Sequence, residues 1–170
     1  MNATGAARRE PRPRADDLVD FGEVPTAVNE ILQRGVAAYR TDRTASDAIF
    51  REALALDPRA LATYFCLYKI HTYSGDLDAA LAIAEAGARE AARQANLSPD
   101  WTLWHPDEIS LAGPGRFALY TLKALAFIRL RRDEPVEARA LLDALARLDP
   151  TDAVGASVVD AIWRGATAPG

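Results

Sequence analysis

The chain has 170 residues, 49% of them hydrophobic and 26% charged, which suits one globular domain with a sizeable core. A formal charge of -4 and a pI of about 5.2 provide no long-range attraction for nucleic-acid phosphates, and no apolar run reaches the roughly 18 residues that a membrane helix needs. The single cysteine, Cys66, excludes an internal disulfide framework and points to a reducing, cytoplasmic setting.

In chain order, residues 1–24 come first. Arg8, Arg9, Arg12 and Arg14 alternate with Pro11 and Pro13 and carry no apolar h-region, so this stretch reads as a disordered arm ahead of a helical domain over 25–165, with a short tail over 166–170. The run FREALALDP, ending at Pro58, is echoed by LLDALARLDP, ending at Pro150. Each predicts a helix stopped at Leu-Asp-Pro, because proline pushes the residue before it out of the αR region. Between them, YSGDLDAALAIAEAG places a turn at Gly75 and Asp76 before another helical period. An insertion over about 97–115 breaks the pattern: the surrounding stretch NLSPDWTLWHPDEISLAGPGRF, residues 96–117, holds Trp101, Trp104, His105 and three prolines, with Gly113, Pro114 and Gly115 read as the turn before the next helix. The last element, TDAVGASVVDAIWRG, predicts a terminal helix capped at Thr151 or Asp152, with Val154, Val158 and Ile162 one turn apart on its packing face and Trp163 near the cap.

These features resemble the tetratricopeptide repeat, a 34-residue helix-turn-helix unit. Ser46, Phe50, Ala53 and Pro58 carry the likeness in the first unit, Tyr64, Leu67 and Ala80 in the second, and Leu122, Leu125, Ala126, Ala138, Leu142 and Pro150 in the third. Gly35 and Tyr39 stand one residue too far apart for the pattern, Tyr68, Ala84 and Ala92 depart from its glycine, aromatic and proline, and Arg129 replaces a tyrosine. The spacing from Pro58 to Pro150 exceeds two such periods by about 24 residues, which marks the Trp-containing segment as an insertion before the third unit. The resemblance implies an all-α, right-handed solenoid of about three helical hairpins with a C-terminal capping helix. Small residues at Ala80 and Ala138 are expected where paired helices approach closely.

Candidate chemistry is sparse. Cys66 and His71 lie about 140° apart round one predicted helix and do not share a metal without outside help. His105 beside Asp107 and Glu108 has no nucleophile in a supporting context, and GPGRF follows no strand and is not a phosphate loop. No catalytic residue, metal or cofactor is therefore assigned. Trp101 and Trp104 either staple the insertion to the helices or present a binding patch; in the second case the segment's outer edge, Trp104, His105, Pro106 and Asp107, extends a partner surface.

The chain carries 18 arginines but only two lysines, Lys69 and Lys123. In the tetratricopeptide family the first helix of each hairpin lines a groove. That register implies a partner-binding surface of Phe65, Lys69, Tyr73, Tyr120, Lys123, Phe127 and Arg131, aromatic and cationic and suited to an acidic segment, or else a solvated inner face without a ligand. The expected function is a non-enzymatic adaptor or chaperone for a protein partner, with neither nucleic acid nor membrane involved. The runs FCLYKIHTYSGDLDAAL, AREAARQANLSPDW and GRFALYTLKALAFIRLRR are similar to the small tetratricopeptide proteins of nitrogen-fixing bacteria called nitrogenase-associated factor T. That likeness implies the nitrogenase molybdenum-iron protein as partner, during assembly or protection. The alternatives are a secretion-type chaperone for an export segment and a small metal-dependent enzyme.

Overall fold

The computed structural model describes residues 22–169, so the expected arm lies outside the described residues as far as position 21. Among the described residues there are seven α-helices and no strand: α1 (Thr26–Tyr39), α2 (Arg43–Leu56), α3 (Leu61–Ser74), α4 (Leu77–Gln94), α5 (Gly113–Arg131), α6 (Pro135–Leu148) and α7 (Ala156–Thr167). The fold is all-α. No helix among the described residues is long and apolar enough to cross a membrane.

Local chemistry sets most of the boundaries. Asp42 and Asp76 start α2 and α4 by accepting hydrogen bonds from the N–H groups of Ala45 (2.9 Å) and Ala79 (3.2 Å). Gly75 supplies the left-handed turn, φ +84°, between α3 and α4. The two Leu-Asp-Pro stops act as their sequence predicts: Asp57 (φ -144°, ψ 94°) and Asp149 (φ -131°, ψ 67°) leave the helical region ahead of their prolines. Asp149 is also buried, and its carboxylate accepts from the N–H groups of Ala153 and Val154, both at 2.9 Å, which shapes the loop into α7.

Packing follows chain order. α1 lies on α2, α3 on α4 and α5 on α6, while α2 meets α3 and α4 meets α5, and α7 rests on α6 and α5. Small residues permit these approaches. Ser46, Ala80 and Ala138 are fully buried, and the Ser46 hydroxyl donates to the carbonyl of Gly35 at 2.8 Å, so α1 and α2 nearly touch there. A methyl group on Gly35 would lie 2.3 Å from the Phe50 ring, and one on Gly87 of α4 would lie 2.9 Å from the β-carbon of Tyr64 on α3. The core has two clusters, one around Val28, Phe50 and Leu67, the other around Trp104, Phe117, Leu122 and Leu145. α3 feeds both, because Leu67 and Ile70 face one cluster while Tyr64 and Tyr68 face the other.

The insertion is ordered by two single 3-10 turns, Trp101–Leu103 and Pro106–Glu108. Trp104 is 2% exposed within the larger cluster, its indole N–H donates to the Ser98 carbonyl at 2.6 Å, and Arg147 of α6 donates to the Trp104 carbonyl at 2.6 Å. Two local expectations need correction. Gly113, Pro114 and Gly115 are not a turn before α5 but its first turn, where proline costs no intrahelical bond. α7 starts at Ala156 after Gly155 (φ +71°), later than a cap at Thr151 or Asp152 implied, although the Asp152 carboxylate still reaches the N–H of Ser157 at 3.1 Å.

Gly35→Ala and Ala138→Leu should each overpack a helix contact and cost about 1–3 kcal/mol, whereas Gly165→Ala, where an added methyl meets nothing within 4 Å, should be neutral or slightly stabilising. Thermal unfolding of the three variants checks this ordering, at roughly 2–4 °C per kcal/mol for a domain of this size.

Candidate functional site

A cavity of about 230 Å³ opens between α3, α5 and α7. Phe65, Lys69 and Tyr73 line it from α3, and Tyr120, Lys123 and Phe127 from α5, because residues three and four apart share a helix face. Arg131, one turn beyond Phe127, spans to the end of this groove by donating to the carbonyl of Thr72, itself a lining residue, at 2.8 Å. Phe65 forms the centre of the aromatic floor, with ring centroids 5.6 Å from Tyr68 in an edge-on arrangement and 5.8 Å from Tyr120.

The third wall of the groove is α7. Val158 and Ile162 were expected to pack α7 onto the helices. Instead they line the groove and remain 65% and 44% exposed. α7 is anchored by the adjacent face: Val159 is buried, the Trp163 indole N–H donates to the Pro135 carbonyl at 2.8 Å, and Arg139 of α6 stacks on the Trp163 ring at 4.8 Å while pairing with Asp160 at 2.6 Å. A stripe of Val158 and Ile162 one turn apart carried the signal, but spacing alone does not say whether such a stripe meets a core or a groove.

The two lysines differ in kind. Lys69 is exposed at the rim, with its ammonium 5.0 Å from the centre of the Phe65 ring. Lys123 is half-buried: it sits 4.0 Å over the Tyr120 ring and donates to the Val154 carbonyl at 2.6 Å, and desolvation holds its pKa below the usual lysine value. It therefore ties α5 to the loop that leads into α7 and is not the freely presented cation that a site on both lysines implies. None of Lys69, Lys123 and Arg131 forms an ion pair among the described residues.

Trp104 and His105 are not part of this groove. Trp104 borders a separate cavity of about 510 Å³ beside α4 and α6, where Trp101 and Pro99 form a wall. Its burial overturns the expectation that it lies on an outer edge: an indole with its N–H satisfied inside the core gains more from packing than a solvated ring would. His105, Pro106 and Asp107 are exposed. Elsewhere, burial pushes the Cys66 thiol up to about 12, so it stays protonated, and His71 bonds Asp47 of α2 at 2.8 Å. Among the described residues no group of three His, Cys, Asp or Glu side chains is placed to hold a metal ion.

Lys123→Ala should lower stability by about 1.5–3 kcal/mol through loss of a charge-assisted hydrogen bond, while Lys69→Ala leaves the melting temperature nearly unchanged. A second expected outcome concerns pH. Arg164 and Arg139 hold the Asp160 carboxyl below its ordinary value, so its anchoring of α7 is present at neutral pH and is lost only as pH falls below about 4. Hydrogen exchange in α7 should be faster in Asp160→Asn than in the native chain at pH 7, and the difference should shrink on acidification. The chain matches no protein-family profile, no curated protein and no solved structure.

Proposed function

We propose that the protein is a non-enzymatic adaptor or chaperone that holds a segment of a protein partner in the groove between α3, α5 and α7. The observation that carries this reading is the convergence of three aromatic residues from different turns, Phe65, Tyr120 and Phe127, with the exposed apolar side chains of Tyr73, Val158 and Ile162 around one opening. A folded chain gains nothing by leaving such side chains in water, and a contiguous apolar opening with a polar rim is the usual mark of an interaction site. The segment that fits has an apolar anchor for the aromatic floor and a carboxylate within reach of Lys69 at the rim.

The same reading takes α1 with α2, α3 with α4 and α5 with α6 as three hairpins of a right-handed tetratricopeptide-like solenoid, with α7 as its cap. The fully buried Ser46, Ala80 and Ala138 and the neighbour-to-neighbour packing support it. The likeness to nitrogenase-associated factor T makes the nitrogenase molybdenum-iron protein the partner to test, with the cytoplasm as the setting.

Titration of purified molybdenum-iron protein onto the immobilised chain tests both levels of the proposal. Saturable binding is expected, and Val158→Asp and Lys69→Glu, both at exposed positions, should each weaken it about tenfold, or ~1.4 kcal/mol, with the helical content unchanged. Absence of binding removes this partner, and binding that is indifferent to both substitutions removes the groove.

A further inference from the structure

The Trp-containing insertion has no part in the groove, yet it walls the larger cavity of about 510 Å³. α4 and α6 both pack on α5, and the space between them lies over Leu125 and Arg129 of α5. Alanines keep it open: Ala88 of α4 and Ala140 of α6 stand where longer side chains would fill it. Trp104, buried in the core, and Trp101, half-buried against it, complete the lining from the insertion. The volume is in the range of pockets that hold small organic molecules, well above what a single ion needs.

The charged groups of this cavity are of two kinds. Arg129 pairs with Glu85 at 3.2 Å and with Glu134 at 2.7 Å, and Asp100 turns one oxygen to the N–H and hydroxyl of Thr102, so these groups satisfy one another locally. Arg89 of α4 and Glu137 of α6 differ: both are exposed, and neither has an ion pair or hydrogen bond among the described residues. The Trp101 indole N–H also lacks an acceptor there, whereas that of Trp104 has the Ser98 carbonyl. An open cation and an open carboxylate thus stand on opposite walls, with Leu125 and Leu141 between them.

The complementary ligand carries a carboxylate for Arg89 and the Trp101 N–H, an ammonium group for Glu137, and an apolar middle. A single amino acid bears both charges on one carbon, which does not suit walls built from two helices on either side of a third. A short peptide separates them. We propose that this cavity binds a short free peptide as a zwitterion, its C-terminal carboxylate at Arg89 and Trp101, its N-terminal ammonium at Glu137 and its apolar side chains over Leu125 and Leu141. The site is independent of the groove between α3, α5 and α7.

Calorimetric titration of trileucine into the full chain tests this, with N-acetyl-trileucine and trileucine amide as the singly blocked probes. Saturable binding of trileucine is expected, weakened at least fivefold by either block. Arg89→Gln should weaken trileucine by a similar factor without further weakening the amide, and Glu137→Gln should do the same for the acetylated form. Ala140→Phe, at an exposed position, should block the cavity and abolish binding with the helical content unchanged, while Val158→Asp in the groove should leave it intact. Absence of saturable binding overturns the proposal. So does binding that ignores both blocks, that persists in Ala140→Phe or that is lost in Val158→Asp. Tighter binding of the amide than of the free acid also overturns it, because the site then selects a cation.

Discussion

α5 must bury side chains on nearly every side at once, and the rest of the structure is arranged to let it. Phe117, Leu119, Leu122, Leu125, Ala126 and Ile128 are all buried along its length, and α4, α6 and α7 each cover part of its surface. A helix that is apolar all round has no stable position at a surface, so it requires neighbours on several faces. α3 is in the same position between α2 and α4, with residues entering both core clusters. The one-sided helices α1, α2, α4 and α6 supply those neighbours, each turning a small or apolar stripe inward and its charges outward.

That arrangement leaves a face of α3 and α5 that no second helix of a pair covers. α7 approaches it but does not fill it, because Trp163, Arg139 and Asp160 hold α7 by its other side against α6. The groove is thus the space left by the way the last helix is anchored. Lys123 shares in this, since its bond to the Val154 carbonyl fixes the loop from which α7 starts. The cations around the opening are stabilised by ring faces and carbonyl oxygens. The arginines on the far side differ: Arg129 and Arg132 are paired with Glu85, Asp78 and Glu134 between α4 and the start of α6. Lys69, Lys123 and Arg131 at the groove form no such ion pair among the described residues.

The insertion shows how one side chain determines the fate of a long irregular segment. Trp104 enters the larger cluster and its backbone carbonyl is held by Arg147, while Asp100 caps the turn at Trp101 by accepting from the N–H of Thr102 at 2.9 Å. The segment thereby forms one wall of the larger of the two cavities described above, through Pro99, Asp100, Trp101 and Trp104. A loop of this length without such an anchor would have to offset its ordering entropy with surface contacts alone.

Much of this was legible in the sequence, because it depends on interactions between residues close along the chain. The Leu-Asp-Pro stops at Pro58 and Pro150 and the turn at Gly75 and Asp76 follow from proline sterics and turn chemistry, and the helical period puts Phe65, Lys69 and Tyr73 on one face of α3; the small residues at Ser46, Ala80 and Ala138, and the joining of that face with Tyr120, Lys123 and Phe127 of α5, were what the tetratricopeptide resemblance implied. What the period cannot state is which object a given face meets. Val158 and Val159 are equally apolar neighbours, yet one is exposed at the groove and the other buried, because the Trp163 and Asp160 contacts set the rotation of α7. Trp104 likewise could staple or display, and only the space beside Phe117 and Leu145, together with an acceptor at the Ser98 carbonyl, decided in favour of burial. Lys69 and Lys123 occupy similar places in their helices, and one is a rim cation while the other is a structural tie, since only Lys123 has a carbonyl from a distant loop within its reach. The chain by itself determined the helices and their faces; the tertiary structure decided which faces are core, which are groove and which charges remain available, because those depend on distances between residues far apart in sequence.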